Sequence, residues 1–167
     1  KNPIFKSLIL TRFLFLFFVI DILFYNKILD LKKFFFSSLI CTSFVSLDIL
    51  VQYMTGSNLF GLKPYLGYNT GLFGSEKIAT GYLKNFSFFS FFYIFYIFQN
   101  MKNKNFIGVI LVLLITIHLT AGLVAGDRMP MILFLFGCVL IILLVKNFRI
   151  IMTLSLIFFI SIFLVIG

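Results

Sequence analysis

The sequence predicts an all-α fold, a polytopic transmembrane helix bundle with about six spans. Composition is the first reason: 62% of the 167 residues are apolar and only 11% charged, with a mean hydropathy of +1.15. A soluble domain is roughly 45–50% apolar and about 25% charged, so this chain lacks the charge to cover a water-facing surface. The second reason is how the apolar residues are grouped. They form runs of roughly 20 residues that are apolar on every side, the length a helix needs to cross about 30 Å of hydrocarbon. Spanning barrel strands are shorter and alternate apolar with polar residues. The two cysteines, Cys41 and Cys138, lie inside such runs without CxxC or Cys/His spacing. They read as small core residues, not as a disulfide or zinc framework.

Taken in order, the expected spans are 7–25, 34–54, 79–98, 106–125, 129–146 and 150–167, within one transmembrane domain covering 1–167. The first contains Arg12 and Asp21 and lacks a small-residue cleavage pattern, which argues against a cleaved signal peptide. A glycine-rich loop at about 55–78 follows the second span. The stretch Ser75 to Leu83 is amphipathic and is expected to form an interfacial helix capped by Ser75. Pro130 suits the first turn of the fifth helix, after a Gly-Asp-Arg turn. The chain begins with Lys1 instead of Met and stops at Gly167 inside an apolar run, as expected of a piece of a longer protein.

The net charge of +9 comes from 14 Lys and Arg against 5 Asp and Glu. Alternate connectors carry Lys27, Lys32 and Lys33, then Lys102 and Lys104, then Lys146 and Arg149. Short basic connectors of this kind face the cytoplasm in multi-pass proteins, which accounts for the charge without nucleic acid. Loop 55–78 and the turn near 126–129 then face outward. There Lys77 and Arg128 each adjoin an acidic residue, Glu76 or Asp127.

Charged groups within a span cost roughly 2.5–3.5 kcal/mol on insertion scales, so each one needs a reason. With this orientation Arg12, Asp48, Gln52 and His118 lie toward the outer side, and Arg128 opens the outer turn. Asp48 and Gln52 are four residues apart and share a helix face. Both a structural and a functional reading stay open for most of them: snorkelling or an intramembrane ion pair for Arg12 and Asp48, helix-packing hydrogen bonds or proton transfer for His118, and headgroup contact or phosphate contact for Lys77. Arg128 stands apart because it is basic on the outer side and sits at a helix start, where free backbone N–H groups also favour an anion.

The order of these features resembles the bacterial O-antigen ligase and O-antigen polymerase family. The stretches that carry the likeness are SLDILVQYMTGSNLFG, TGLFGSEKIATGYL and LTAGLVAGDRMPM, over roughly residues 44–135, with LTRFLFLF near the start resembling the family's Arg-Phe. The resemblance implies part of a larger GT-C-like membrane glycosyltransferase in the bacterial inner (cytoplasmic) membrane. Its donor would be an undecaprenyl-pyrophosphate-linked glycan, its acceptor a glycan or lipid A-core, and its surroundings membrane lipid. No metal and no cofactor are implied. Arg128 matches the family's Arg after its Gly-Asp turn and is the expected catalytic residue. Arg12, Asp48, Gln52, Glu76 and Lys77 are the expected substrate-binding residues. Relatives place an Arg three residues before the glycine aligned with Gly71, where this chain has Tyr68. The family's His-bearing outward loop, with the general base, lies beyond this stretch, so the 167 residues alone are expected to lack transferase activity. The alternative is a multi-pass transporter or lipid-carrier flippase, which predicts broken helices in repeated halves; no repeat is evident in the sequence.

Overall fold

The computed structural model describes residues 18, 19, 22, 23, 25, 26, 30–100 and 104–166. The expected first span, with Arg12 and Asp21, lies outside them apart from a few helical positions, as does Lys102. Two compact units are present, Lys1–Phe34 and Phe35–Gly167.

The described elements are helical, with no strand among them. Helix α1 is Leu31–Thr55, α2 is Ala79–Asn100, α3 is Lys104–Val124, α4 is Arg128–Leu144 and α5 is Arg149–Ile166, with single 3-10 turns at Gly71–Phe73 and Lys146–Phe148. The ends of these five helices fall within a few residues of the limits expected for the second to sixth segments. Helices pair their backbone groups within themselves along their length, which is what a lipid solvent demands. Among the described residues three segments are long and apolar enough to cross a membrane: Leu31–Thr55, Phe106–Val124 and Lys146–Val165. Helix α4 has 17 residues, about 25 Å at 1.5 Å per residue. Helix α2 has the length, at 22 residues, but carries Lys84, Asn85 and Gln99.

Local chemistry fixes the helix ends. Asp30 Oδ1 accepts the Lys32 amide at 3.0 Å, an N-cap for α1. Helix α3 stops at Gly126, whose φ of +87° ends the helix in the left-handed conformation that glycine adopts without strain. Pro130 falls in the first turn of α4, as expected. At the far end of α4 the Arg149 Nε donates to Ile142 O at 2.9 Å, occupying one of the carbonyls that a helix end leaves open. The interfacial helix expected from Ser75 is absent. Gly74 has φ +59° and the Glu76 amide donates back to Phe73 O at 3.0 Å, so the chain is still turning there and α2 starts four residues later.

Phe91, Phe134, Leu111, Ile115, Leu119 and Met152 are fully buried among α2, α3, α4 and α5. Phe91 and Phe134 stack with ring centroids 6.2 Å apart, and Phe88 meets Phe134 edge-on at 5.3 Å. The outer faces are equally apolar: Leu144, Leu164 and Val165 are 77%, 76% and 87% exposed. A continuous apolar exterior of this kind fits lipid and not water. Cys138 is buried as expected, but Cys41 is exposed, at the edge of the buried face of α1 that carries Thr42, Val45 and Ile49.

Gly137 lets α4 approach α2, because a Cβ there would run into the Phe88 ring. Close approach at small residues is how membrane helices gain packing. Gly137→Ala is expected to destabilise the bundle by about 1–3 kcal/mol through overpacking, read as a lower unfolding midpoint in detergent. An unchanged midpoint would mean that Phe88 moves aside freely.

Candidate functional site

The polar residues gather at the end of the bundle formed by loop 55–78 and the turn between α3 and α4. Asp48 and Gln52 sit one turn apart on α1, and both are fully buried. Asp48 Oδ1 accepts the Leu59 amide at 3.0 Å, and Oδ2 accepts Asn58 Nδ2 at 3.3 Å. Gln52 Nε2 donates to Leu62 O at 3.0 Å, while its Oε1 accepts the Gly71 amide at 2.8 Å. Asn58 closes the turn between them, its Oδ1 accepting the amides of Phe60 and Leu62 at 3.0 and 2.7 Å. The two α1 side chains therefore hold the loop backbone at Leu59, Leu62 and Gly71.

Gly71 is the closest point. A Cβ there would lie 2.9 Å from Asp48 Oδ2 and 3.0 Å from Ile49 Cγ1, and φ is +55°, so both space and conformation call for glycine. From Gly71 the chain leads back through Thr70, whose hydroxyl donates to Gly74 O at 2.6 Å, and Asn69, whose Nδ2 donates to Val124 O at 2.8 Å. The second of these bonds joins the loop to the last turn of α3.

Tyr68 comes next and pairs with Tyr65 through two backbone bonds of 2.9 and 3.0 Å. The two residues between them, Leu66 and Gly67, have φ +48° and +80°, the pattern of a type I′ turn. Leucine in this conformation is strained by roughly 1–2 kcal/mol. Leu66→Gly is expected to stabilise the loop by about 1 kcal/mol, detectable as slower proteolysis within 60–70; faster cleavage would contradict a strained turn.

The strained tip forms one wall of a cleft of about 470 Å³, lined by Leu66, Gly67, Tyr68, Gly126, Asp127, Arg128 and Met129. A second cleft, of about 480 Å³, shares Gly126, Asp127 and Arg128 with the first and adds Leu123, Met131 and Ile132. Tyr68 packs closely enough on Gly126 that a Cβ there would be 3.2 Å from the ring. Lys77 Nζ stands 4.1 Å from the Tyr68 ring centroid, a cation–π contact.

Arg128 is the first residue of α4, and its side chain is exposed. Asp127, the residue before it, makes no side-chain capping bond. Pro130 has no N–H, so the amides at the helix start are those of Arg128 and Met129, beside the guanidinium. Among the described residues Arg128 has no hydrogen-bond or ion-pair partner. A guanidinium fork, a helix N-terminus and a concave wall together suit an anion.

The other candidates are placed differently. Glu76 is exposed in the turn before α2 and lines neither cleft beside Arg128. His118 is fully buried within the bundle, bonded to Leu114 O at 2.8 Å and to Thr42 Oγ1 at 3.1 Å. Arg12 lies outside the described residues. No group of His, Cys, Asp and Glu suited to a metal occurs among the described residues. A third cleft, between Phe98, Gly108, Val112, Ile151 and Phe158, is lined by apolar side chains and brings no acid, base or charge to chemistry.

Sequence reasoning passed over Asn58 and Asn69. Asn58 had a local signal, the Ser-Asn-Leu-Phe-Gly stretch, since Asn readily hydrogen-bonds the backbone just after it. Asn69 had none, because its partner is 55 residues away.

Set against protein-family models, curated proteins and solved structures, the chain matches none.

Proposed function

We propose that this chain is part of an O-antigen ligase- or polymerase-like glycosyltransferase of the bacterial inner membrane, with six spans and a GT-C-like architecture. It transfers or polymerises glycan from an undecaprenyl-pyrophosphate carrier on the outward face. The observation that carries this reading is the exposed Arg128, free of protein partners among the described residues, at a helix N-terminus beside a cleft.

In such a reaction an acceptor hydroxyl oxygen bonds to the anomeric carbon as the bond from that carbon to the pyrophosphate oxygen breaks. The bonding pair leaves with the phosphate, and the hydroxyl proton passes to a base. Negative charge thus grows on phosphate oxygens, where a planar guanidinium with two adjacent amides stabilises it. Lys77 supports the same reading. Its ammonium lies over Tyr68, the position where relatives in the resembled family carry Arg, so positive charge is restored there by a residue nine positions later. Asp48 and Gln52 shape the site indirectly by holding the loop.

The test is reconstitution of the full-length protein in liposomes with undecaprenyl-pyrophosphate-linked glycan and an acceptor. Release of undecaprenyl pyrophosphate with extension of the acceptor is expected. Its absence under conditions where the protein is folded would overturn the reading, as would labelling of a cysteine at 128 from the cytoplasmic side only. Movement of the lipid carrier across the bilayer without glycan transfer would favour a flippase instead.

A further inference from the structure

Hydroxyls on these helices mostly satisfy themselves locally. Thr42, Thr55, Thr116, Thr120, Ser155 and Ser161 each donate to the carbonyl four residues earlier, the usual arrangement for such a side chain in a helix. Ser46 and Ser87 do not. Both residues are fully buried, and neither hydroxyl has a hydrogen-bond partner among the described residues; Ser43 Oγ shares that condition. A buried hydroxyl without a partner is unfavourable and uncommon.

The three are not scattered. Ser46 is one turn after Thr42 on α1, and Ser87 is one turn before Ser90 on α2. Thr42 Oγ1 and Ser90 Oγ are 2.8 Å apart. The two helices run antiparallel: Phe36 meets Tyr93 near one end, while at the other α1 leads into the loop that returns to α2. Both displacements therefore point toward the loop end, and Ser46 and Ser87 fall at one level of the α1–α2 interface. Ser43, next to Thr42, lies nearly one turn short of that level.

Beneath them lies a junction of two hydroxyls and an imidazole in which one proton has two acceptors. His118 Nδ1 donates to Leu114 O at 2.8 Å, because a carbonyl can only accept; Nε2 of the neutral ring then requires a donor. Thr42 Oγ1 is 3.1 Å from Nε2, but its single proton also faces Ser38 O at 2.8 Å; Ser90 Oγ, 2.8 Å away, can give its own proton to Thr42 or accept the one Thr42 carries. Ser38 in turn gives its proton to Phe86 O at 3.0 Å. On one side hydroxyl protons lack acceptors, and on the other an imidazole competes for one.

The geometry points to a bound-water site in this interface, where water accepts the protons of Ser46 and Ser87 and donates toward the Thr42–Ser90–His118 junction. Water is the ligand that matches both needs, since it accepts and donates at once and buried waters make about three bonds to otherwise unmet groups. The site bridges α1, α2 and α3 inside the apolar bundle. It is separate from the Arg128 cleft and does not depend on the function proposed for that cleft.

The full-length protein, labelled with ¹⁵N-histidine in lipid nanodiscs, provides the test through water-edited solid-state NMR. The His118 ring signal is assigned by its loss in His118→Gln. Rapid magnetisation transfer from water to that ring is expected. In Ser46→Ala/Ser87→Ala the transfer is expected to fall by at least half and the melting temperature to drop. Transfer no faster than to the buried methyls of Leu119 would overturn the proposal. So would a double variant that melts at or above the parent, because deleting a dry, unpaired hydroxyl removes a cost. The parent measurement decides the question even if the double variant does not fold.

Discussion

Replacing Arg128 with alanine is expected, on the transferase reading proposed above, to lower turnover of the reconstituted full-length protein by about 10²–10³-fold, the usual loss when one preorganised donor to a developing oxyanion is removed. The loss should fall on kcat more than on KM, since the charge on the departing phosphate is greater in the transition state than in the bound donor. Stability should hardly change. The side chain is exposed and makes no hydrogen bond or ion pair among the described residues, so its removal strands no buried partner. Arg128→Lys separates charge from shape: a lysine keeps the point charge but loses the planar fork, so its turnover should lie between those of the parent and Arg128→Ala. Turnover of Arg128→Ala equal to the parent's would remove this residue from the mechanism. An Arg128→Lys protein as slow as the alanine variant would show that bidentate geometry, not charge, is what matters.

Asp48→Asn is expected to behave in the opposite way, with a stability loss of about 2–4 kcal/mol as buried hydrogen-bond donors lose their acceptor. The carboxylate accepts from two donors, the Leu59 amide and Asn58 Nδ2. An asparagine amide can face only one of them with its oxygen, so its NH2 meets the other donor head-on. Asn58 cannot turn to help, because its own oxygen is occupied by the amides of Phe60 and Leu62. The loop should loosen between 56 and 71, which faster proteolysis there and a lower melting temperature would both register. An Asp48→Asn protein as stable as the parent would mean that the loop is held by Gln52 and Asn69 without it. Because the loop forms a wall of the Arg128 cleft, turnover should fall as well, but in step with the fraction of protein whose loop is intact.

How much of this was legible in the sequence depends on the range of the interaction concerned. Helices α1 to α5 were readable because their signal is a run of neighbouring apolar residues, and a helix closes its hydrogen bonds within itself. The shared face of Asp48 and Gln52 was readable for the same reason, being a matter of spacing along one helix. What those two residues hold was not, since Leu59, Leu62 and Gly71 reach them through a loop path that no local pattern encodes. Ser75 shows the reverse error. It has a good capping side chain ahead of an amphipathic stretch, yet the backbone is still in a turn set by Gly74 and Phe73, and the helix waits until Ala79. Leu66 could not have been foreseen at a position with φ +48°, because leucine is among the residues least suited to it.

The bond from Asn69 to the carbonyl of Val124 has a mechanical meaning. It fastens the base of the hairpin to the end of a rod, so an axial slide of that rod by one residue rise, about 1.5 Å, would be passed to the loop beside the cleft as a stroke of similar size. A disturbance far down the rod, in the thickness of the bilayer, would thereby be felt at the mouth of the cleft.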